Sequence, residues 1–313
     1  MVRSFLHLLA ANSRWPVAAM QETLEKEIYA DKKSWHKFIK GLILSLGLGF
    51  FVAGVVFFFA FNWEHLHRFA KLGLVQGLFL ILAGLAFALR NSQLLHRLFL
   101  TAAAVMIGVI FAVFGQIYQT GANAYDFFFS WWLFVLVWSI YLLFEPMWLL
   151  LITLANITLY MFMEQETTYL TGSRAFIAFI ALNVLFYIII MLIRQYRKEL
   201  KANWLIYLLT VYLAGVMSFG FTIGLYAKWD NYFLVLVVLE ALLLLTATWY
   251  SLRKKDIFLL TIVGLSGMII VLDLINKIRF SEFSFLLSGL WIIASLTLLV
   301  KQLVQLQKKW RNE

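Results

Sequence analysis

The sequence predicts an all-α fold, a polytopic integral membrane bundle of about ten transmembrane helices with both termini in the cytoplasm. Three observations predict it. First, 63% of the 313 residues are hydrophobic and only 13% are charged, about half the charged share of an ordinary soluble domain, so the chain lacks the polar residues to cover a water-exposed surface. Second, the apolar residues fall into runs of about 17–25, the length that crosses a hydrocarbon core of roughly 30 Å with every backbone N–H and C=O bonded inside its own helix. Third, the cations are sorted by side. Spans read at 38–61, 70–89, 98–117, 127–144, 147–163, 175–193, 203–226, 231–252, 257–277 and 283–301 place twenty of the twenty-six Lys and Arg on the side of the N-terminus and six on the other. Positive residues stay in the cytoplasm, which orients the bundle.

Taken in order, the chain opens with a segment over 1–37 that is not a span. Pro16 suits a first helical position, and Val17, Met20, Leu24 and Ile28 then form one apolar stripe at helical spacing. This predicts a small cytoplasmic helical cap. Five spans over 38–163 and five over 175–301 follow as two helical bundles, and 302–313 is a basic cytoplasmic tail lying against the inner leaflet. Glu145-Pro146 is the only separation between the fourth and fifth spans. A tight turn is expected there, because proline lacks a backbone donor and disfavours helix at the preceding residue. Trp35, Trp63, Trp131, Trp132, Trp148, Trp204, Trp229 and Trp249 lie near span ends, where amphipathic rings prefer the membrane interface.

Composition also excludes function classes. There is no cysteine, hence no disulfide and no thiolate metal site. The net charge of +10 sits in short loops and tails and forms no basic face interleaved with aromatics, so nucleic acid is not an expected partner. His65 and His67 flank only Leu66, which is not the His-Glu-x-x-His spacing of a zinc hydrolase. No Gly-x-Ser-x-Gly elbow or phosphate-cradling glycine loop is present. Gly47 and Gly49 lie inside the first span with Gly41 and Gly54, where small residues let helices approach closely. No catalytic residue, metal site or cofactor is expected.

Two groups of polar residues stand out. Glu240 lies about ten residues into the eighth span, near the midplane. An ionisable group there costs on the order of 2.5–3.5 kcal/mol on insertion scales and is a functional candidate by default. A protonated glutamate donating one hydrogen bond to a neighbouring helix is the structural alternative. Asn156, Asn183 and Ser266 reach similar depth in the fifth, sixth and ninth spans, where interhelical bonding is the commoner role. Asp273, with Lys277 four residues on, reads as a local ion pair. The second group is expected on the extracytoplasmic face. The first span ends in Asn62, Trp63 and Glu64, the third carries Gln116 and Tyr118, and Gln76 lies about 9 Å down the second span from that face. These side chains offer either a small polar pocket or a network that fixes the packing of three helices.

The Asn62-Trp63 end of the first span resembles domain-of-unknown-function family 2157, a group of predicted prokaryotic membrane proteins. So do Gly108 followed by Gly115-Gln116-Ile117-Tyr118 in the third span, and the short helical segment ahead of the first. The resemblance covers roughly 15–165. It implies a bacterial or archaeal cytoplasmic (inner) membrane, brings no accepted activity and no catalytic residues, and draws attention to Asn62, Trp63, Gln116 and Tyr118. Glu240 lies outside it. Ten spans divided five and five would suit the inverted repeats of many transporters, yet the halves show no correspondence. Two expectations stand side by side. One is an accessory or scaffold subunit of a cell-envelope assembly, partnered by the lipid bilayer and an envelope protein or by further copies of itself. The other is a secondary transporter of a small solute, proton-coupled through Glu240.

Overall fold

The computed structural model describes residues 32–62, 66–118, 121, 123–167, 170–197, 203–227, 231–278 and 282–312. Among these the chain is all-helical, and ten helices are long and apolar enough to cross a membrane. They are α1 (Lys32–Asn62), α2 (Arg68–Ala88), α3 (Gln93–Tyr118), α4 (Ala124–Leu142), α5 (Glu145–Gln165), α6 (Ser173–Tyr196), α7 (Asn203–Tyr226), α8 (Asn231–Lys254), α9 (Ile257–Ile278) and α10 (Glu282–Asn312). Each expected span has its helix. The helical cap expected from Val17, Met20, Leu24 and Ile28 lies outside the described residues. Positions 32–37 belong to α1, and α10 runs on through the basic tail to Asn312 instead of ending at 301. At 31 residues, α1 and α10 are each about 46 Å long. That exceeds a hydrocarbon core of roughly 30 Å, so their lysine-bearing ends project beyond it.

The helices divide into two compact units, 1–118 and 119–313, and the division therefore falls after the third span. In the first unit α3 is the central helix, contacting both α1 and α2. Its composition explains this: Ala102, Ala103, Ala104 and Gly108 leave little side chain to hold neighbours away, and all four are buried. Half of the spanning window of α3 is buried, against 6% for α1. His96 Nδ1, at the start of α3, donates to the Ala86 carbonyl at the end of α2, 2.8 Å away, and so fastens the α2–α3 hairpin.

The second unit begins with the α4–α5 hairpin. Its turn falls two residues before Pro146: Leu143 adopts a left-handed conformation (φ 45°) and Phe144 is extended. Pro146 then occupies the first turn of α5, where its missing N–H costs nothing. The fully buried Ser139 hydroxyl donates to the Val135 carbonyl at 2.8 Å, removing a polar group that the tight packing would otherwise strand. Trp148 is packed inside this unit at 2% exposure. It is not a belt residue, because the short turn folds α5 directly against α4. Trp35, Trp204 and Trp249 are exposed as a belt requires, while Trp63 and Trp229 lie outside the described residues.

Helices α6, α7, α9 and α8 form a ring in which each contacts the next, and α10 packs on the outside of α9. One half of the ring is solid: Ile180, Met217, Phe221, Leu225, Phe233 and Leu236 form a buried cluster. Close approach there depends on small residues. A Cβ at Gly220 would lie 2.9 Å from Phe176 Cγ, and one at Gly224 would lie 2.3 Å from Phe233 Cδ2. The other half of the ring is not filled by side chains.

Candidate functional site

The structure brings two of the midplane candidates together. Asn183, fully buried on α6, donates from Nδ2 to Asn156 Oδ1 on α5 at 2.7 Å and to its own helix at Phe179 O at 2.9 Å. Asn156 donates in return to Asn183 Oδ1 at 3.1 Å and to Ile152 O at 2.8 Å. Tyr212 of α7 adds its hydroxyl, donating to Asn156 Oδ1 at 3.1 Å. An amide has two donors and one acceptor oxygen, and here both amides have every donor and each oxygen occupied. The constellation is a hydrogen-bonded seam binding three helices, with every amide donor engaged. Leucine at Asn156 or Asn183 is expected to cost about 1–2 kcal/mol. A double-mutant cycle read by thermal melting in detergent should return a coupling of roughly 0.6–1.7 kcal/mol, whereas purely additive losses would mean that the reciprocal pair does not hold in the bilayer.

Tyr212 is the member that reading for interfacial aromatics passes over. Its signal was its depth: it lies ten residues from the start of α7, where a phenolic hydroxyl has no water and must find a protein acceptor.

Glu240 stands apart from that seam. It is 2% exposed, and its Oε1 has no hydrogen-bond partner among the described residues. Its place on α8 is a boundary. Leu236, one turn before it, belongs to the packed cluster. Leu243 and Leu244, one turn after it, line a cavity of about 510 Å³ between α6, α7, α8 and α9 that opens on the surface of the ring. Ser266 of α9, also buried, lines this cavity and a second one of about 360 Å³ between α7 and α9. No hydrogen bond joins Glu240 or Ser266 to the asparagine seam among the described residues.

Asp273 and Lys277 do not form the expected ion pair. Thr222 of α7 donates to Asp273 Oδ2 at 2.6 Å, and Tyr226 Oη donates to the Asp273 carbonyl at 3.2 Å. The Lys277 ammonium instead donates to the Leu225 carbonyl, in the last turn of α7, where the negative end of the helix dipole favours a cation. Spacing along α9 made the pair available, but α7 supplies better partners to both residues.

In the first unit, Gln76, Gln116 and Tyr118 are all exposed, and among the described residues no hydrogen bond joins them. Trp63, Glu64 and the side chain of Asn62 lie outside the described residues. Gly73, at i−3, shares a helix face with Gln76, Gly77 adjoins it in sequence, and both glycines border open space. The crevice between α1, α2 and α3 is lined by apolar residues such as Ile43, Leu48, Ile81 and Leu95.

No curated protein and no solved structure matches the chain. One family model does, over residues 17–148. That stretch holds the motifs for which the resemblance was noted, and over it the chain matches the model of the predicted membrane proteins DUF2157.

Proposed function

We propose that this protein is a non-catalytic accessory or scaffold subunit of an assembly in a bacterial inner membrane, with both termini in the cytoplasm, acting by lateral contact with another membrane protein. The sorting of twenty cations to one side and six to the other supports that orientation. The observation that carries the functional reading is Gln76. It lies eight residues into α2 and is exposed at the helix surface, so its amide would face hydrocarbon about 12 Å from the helix start. Lipid offers an amide no partner, and a second helix does. Gly73 and Gly77 beside it leave room for a backbone to come close. Helix α1, almost wholly exposed along its spanning window, leaves further surface for a neighbour.

The test is purification at native expression level in mild detergent, with mass spectrometry of what co-elutes, from the parent and from Gly77→Ile. A stoichiometric partner protein held by the parent and lost from the variant is the expected result. A monomer in both, with unchanged melting temperature, would end the reading. The second reading, a proton-coupled transporter of a small solute, is favoured by the buried carboxyl of Glu240. It fails if Glu240→Gln transports every solute tested as the parent does.

A further inference from the structure

The cavity in the α6–α9 ring has a definite chemistry. At about 510 Å³ it falls in the size range of ligand sites. Val184, Met217, Leu243 and Ile262 are typical of its walls. The threonines that border it turn inward on their own helices: Thr210 donates to Ile206 O at 2.8 Å and Thr246 to Leu243 O at 3.0 Å. Water would need two to four polar partners to remain there; the threonine protons are engaged, and beyond the hydroxyls of Tyr187, Tyr250 and Ser266 the walls are apolar, so most of the space offers water no partner. An empty space of this size would forfeit the dispersion contacts that hold a protein interior together. The remaining occupant is hydrocarbon.

The position of the cavity gives its occupant a direction. The lining comes from the second half of α6 and α8 and the first half of α7 and α9, so the cavity lies toward the end of the ring where α6 passes to α7 and α8 to α9. That end is cationic, with Arg194, Arg197, Arg253 and Lys254 exposed. One of these cations is tied to the cavity itself. Trp249 lines it, and the Arg253 guanidinium lies over the Trp249 ring, 4.3 Å from its centroid. A guanidinium held on an aromatic face keeps its N–H groups free for an anionic oxygen. From the apolar walls and this anchored cation we infer that the α6–α9 cavity is a lipid site. It takes one acyl chain of an anionic phospholipid, with the phosphate at Arg253 and the chain tip directed toward the Glu240 turn. The site stands independently of the assembly role, since it is built entirely from the second unit.

The test uses the full-length protein, stripped of lipid and melted in detergent micelles carrying either phosphatidylglycerol or phosphatidylcholine. Phosphatidylglycerol should raise the melting temperature by on the order of 5 °C over phosphatidylcholine. In Ala247→Phe, which places a ring in the cavity without altering any charge, that difference should vanish. In Arg253→Gln, a change at an exposed position, it should fall by at least half while the melt in phosphatidylcholine stays where it was. Equal melts of the parent in the two lipids would overturn the proposal. So would a full phosphatidylglycerol effect in a folded Ala247→Phe, which would mean surface adsorption to the cationic end only. Should Ala247→Phe fail to fold, Arg253→Gln decides alone: an undiminished difference in that variant overturns the proposal.

Discussion

Replacing Glu240 with leucine should make the protein more stable, by about 1–3 kcal/mol, the penalty of a buried polar atom left without a partner. Oε1 is such an atom, and the residue is 2% exposed. Leucine would continue the apolar face already formed by Leu236, Leu243 and Leu244 on the same side of α8. Glu240→Gln is the informative control, because an amide there remains a buried polar group and should recover none of that stability. Melting curves of the three proteins in one detergent decide the matter. A carboxyl that costs the fold stability needs a reason beyond packing, and function is the usual one. A leucine variant that melts lower than the parent would instead make the carboxyl a structural hydrogen-bond donor, and with it the transport reading would lose its motivation.

Gly224→Ala should act in the opposite direction. The added Cβ would lie 2.3 and 2.6 Å from Phe233 Cδ2 and Cε2, and the ring cannot swing aside. Phe233 is buried beside Phe221, with centroids 6.0 Å apart, in the solid half of the ring. Overpacking of this kind costs about 1–3 kcal/mol. Gly215 lies nine residues earlier on the same helix, with nothing within 4 Å of the corresponding Cβ position. Gly215→Ala should therefore stay within about 0.5 kcal/mol of the parent. Equal melting temperatures for the two alanine variants would mean that α7 does not pack against α8 as described.

The two residues also mark how far the sequence could be read. The ten spans were legible because a run of apolar residues of bilayer length is a property of the chain alone, and the turn before Pro146 was legible to within two residues. The depth of Asn156, Asn183, Glu240 and Ser266 followed from counting along their helices. Which of them meet did not, because that depends on how each helix is rotated against its neighbour, and the apolar runs of α5 and α6 are too uniform to specify a rotation. Asp273 and Lys277 were assigned to each other by spacing, and Thr222 and Leu225 took their place for the same reason: a contact from the next helix leaves no trace in local sequence. Trp148 was assigned to the interface by its position near a span end, yet the brevity of the turn drew it inside. The cavity was the least visible of all, since a space between four helices is set by what their side chains fail to fill.

The turn at Leu143 and Phe144 has a consequence for biogenesis. With only two residues between them, α4 and α5 must enter the membrane as a hairpin, and that hairpin fixes the parity of everything after it. If the turn failed to form and the pair entered as one long element, every later loop would exchange sides. The arginines at the ends of α6 and α8 would then be drawn across the bilayer against the charge preference that orients such chains. The two-residue turn and the distribution of the cations thus call for the same placement of the five helices that follow.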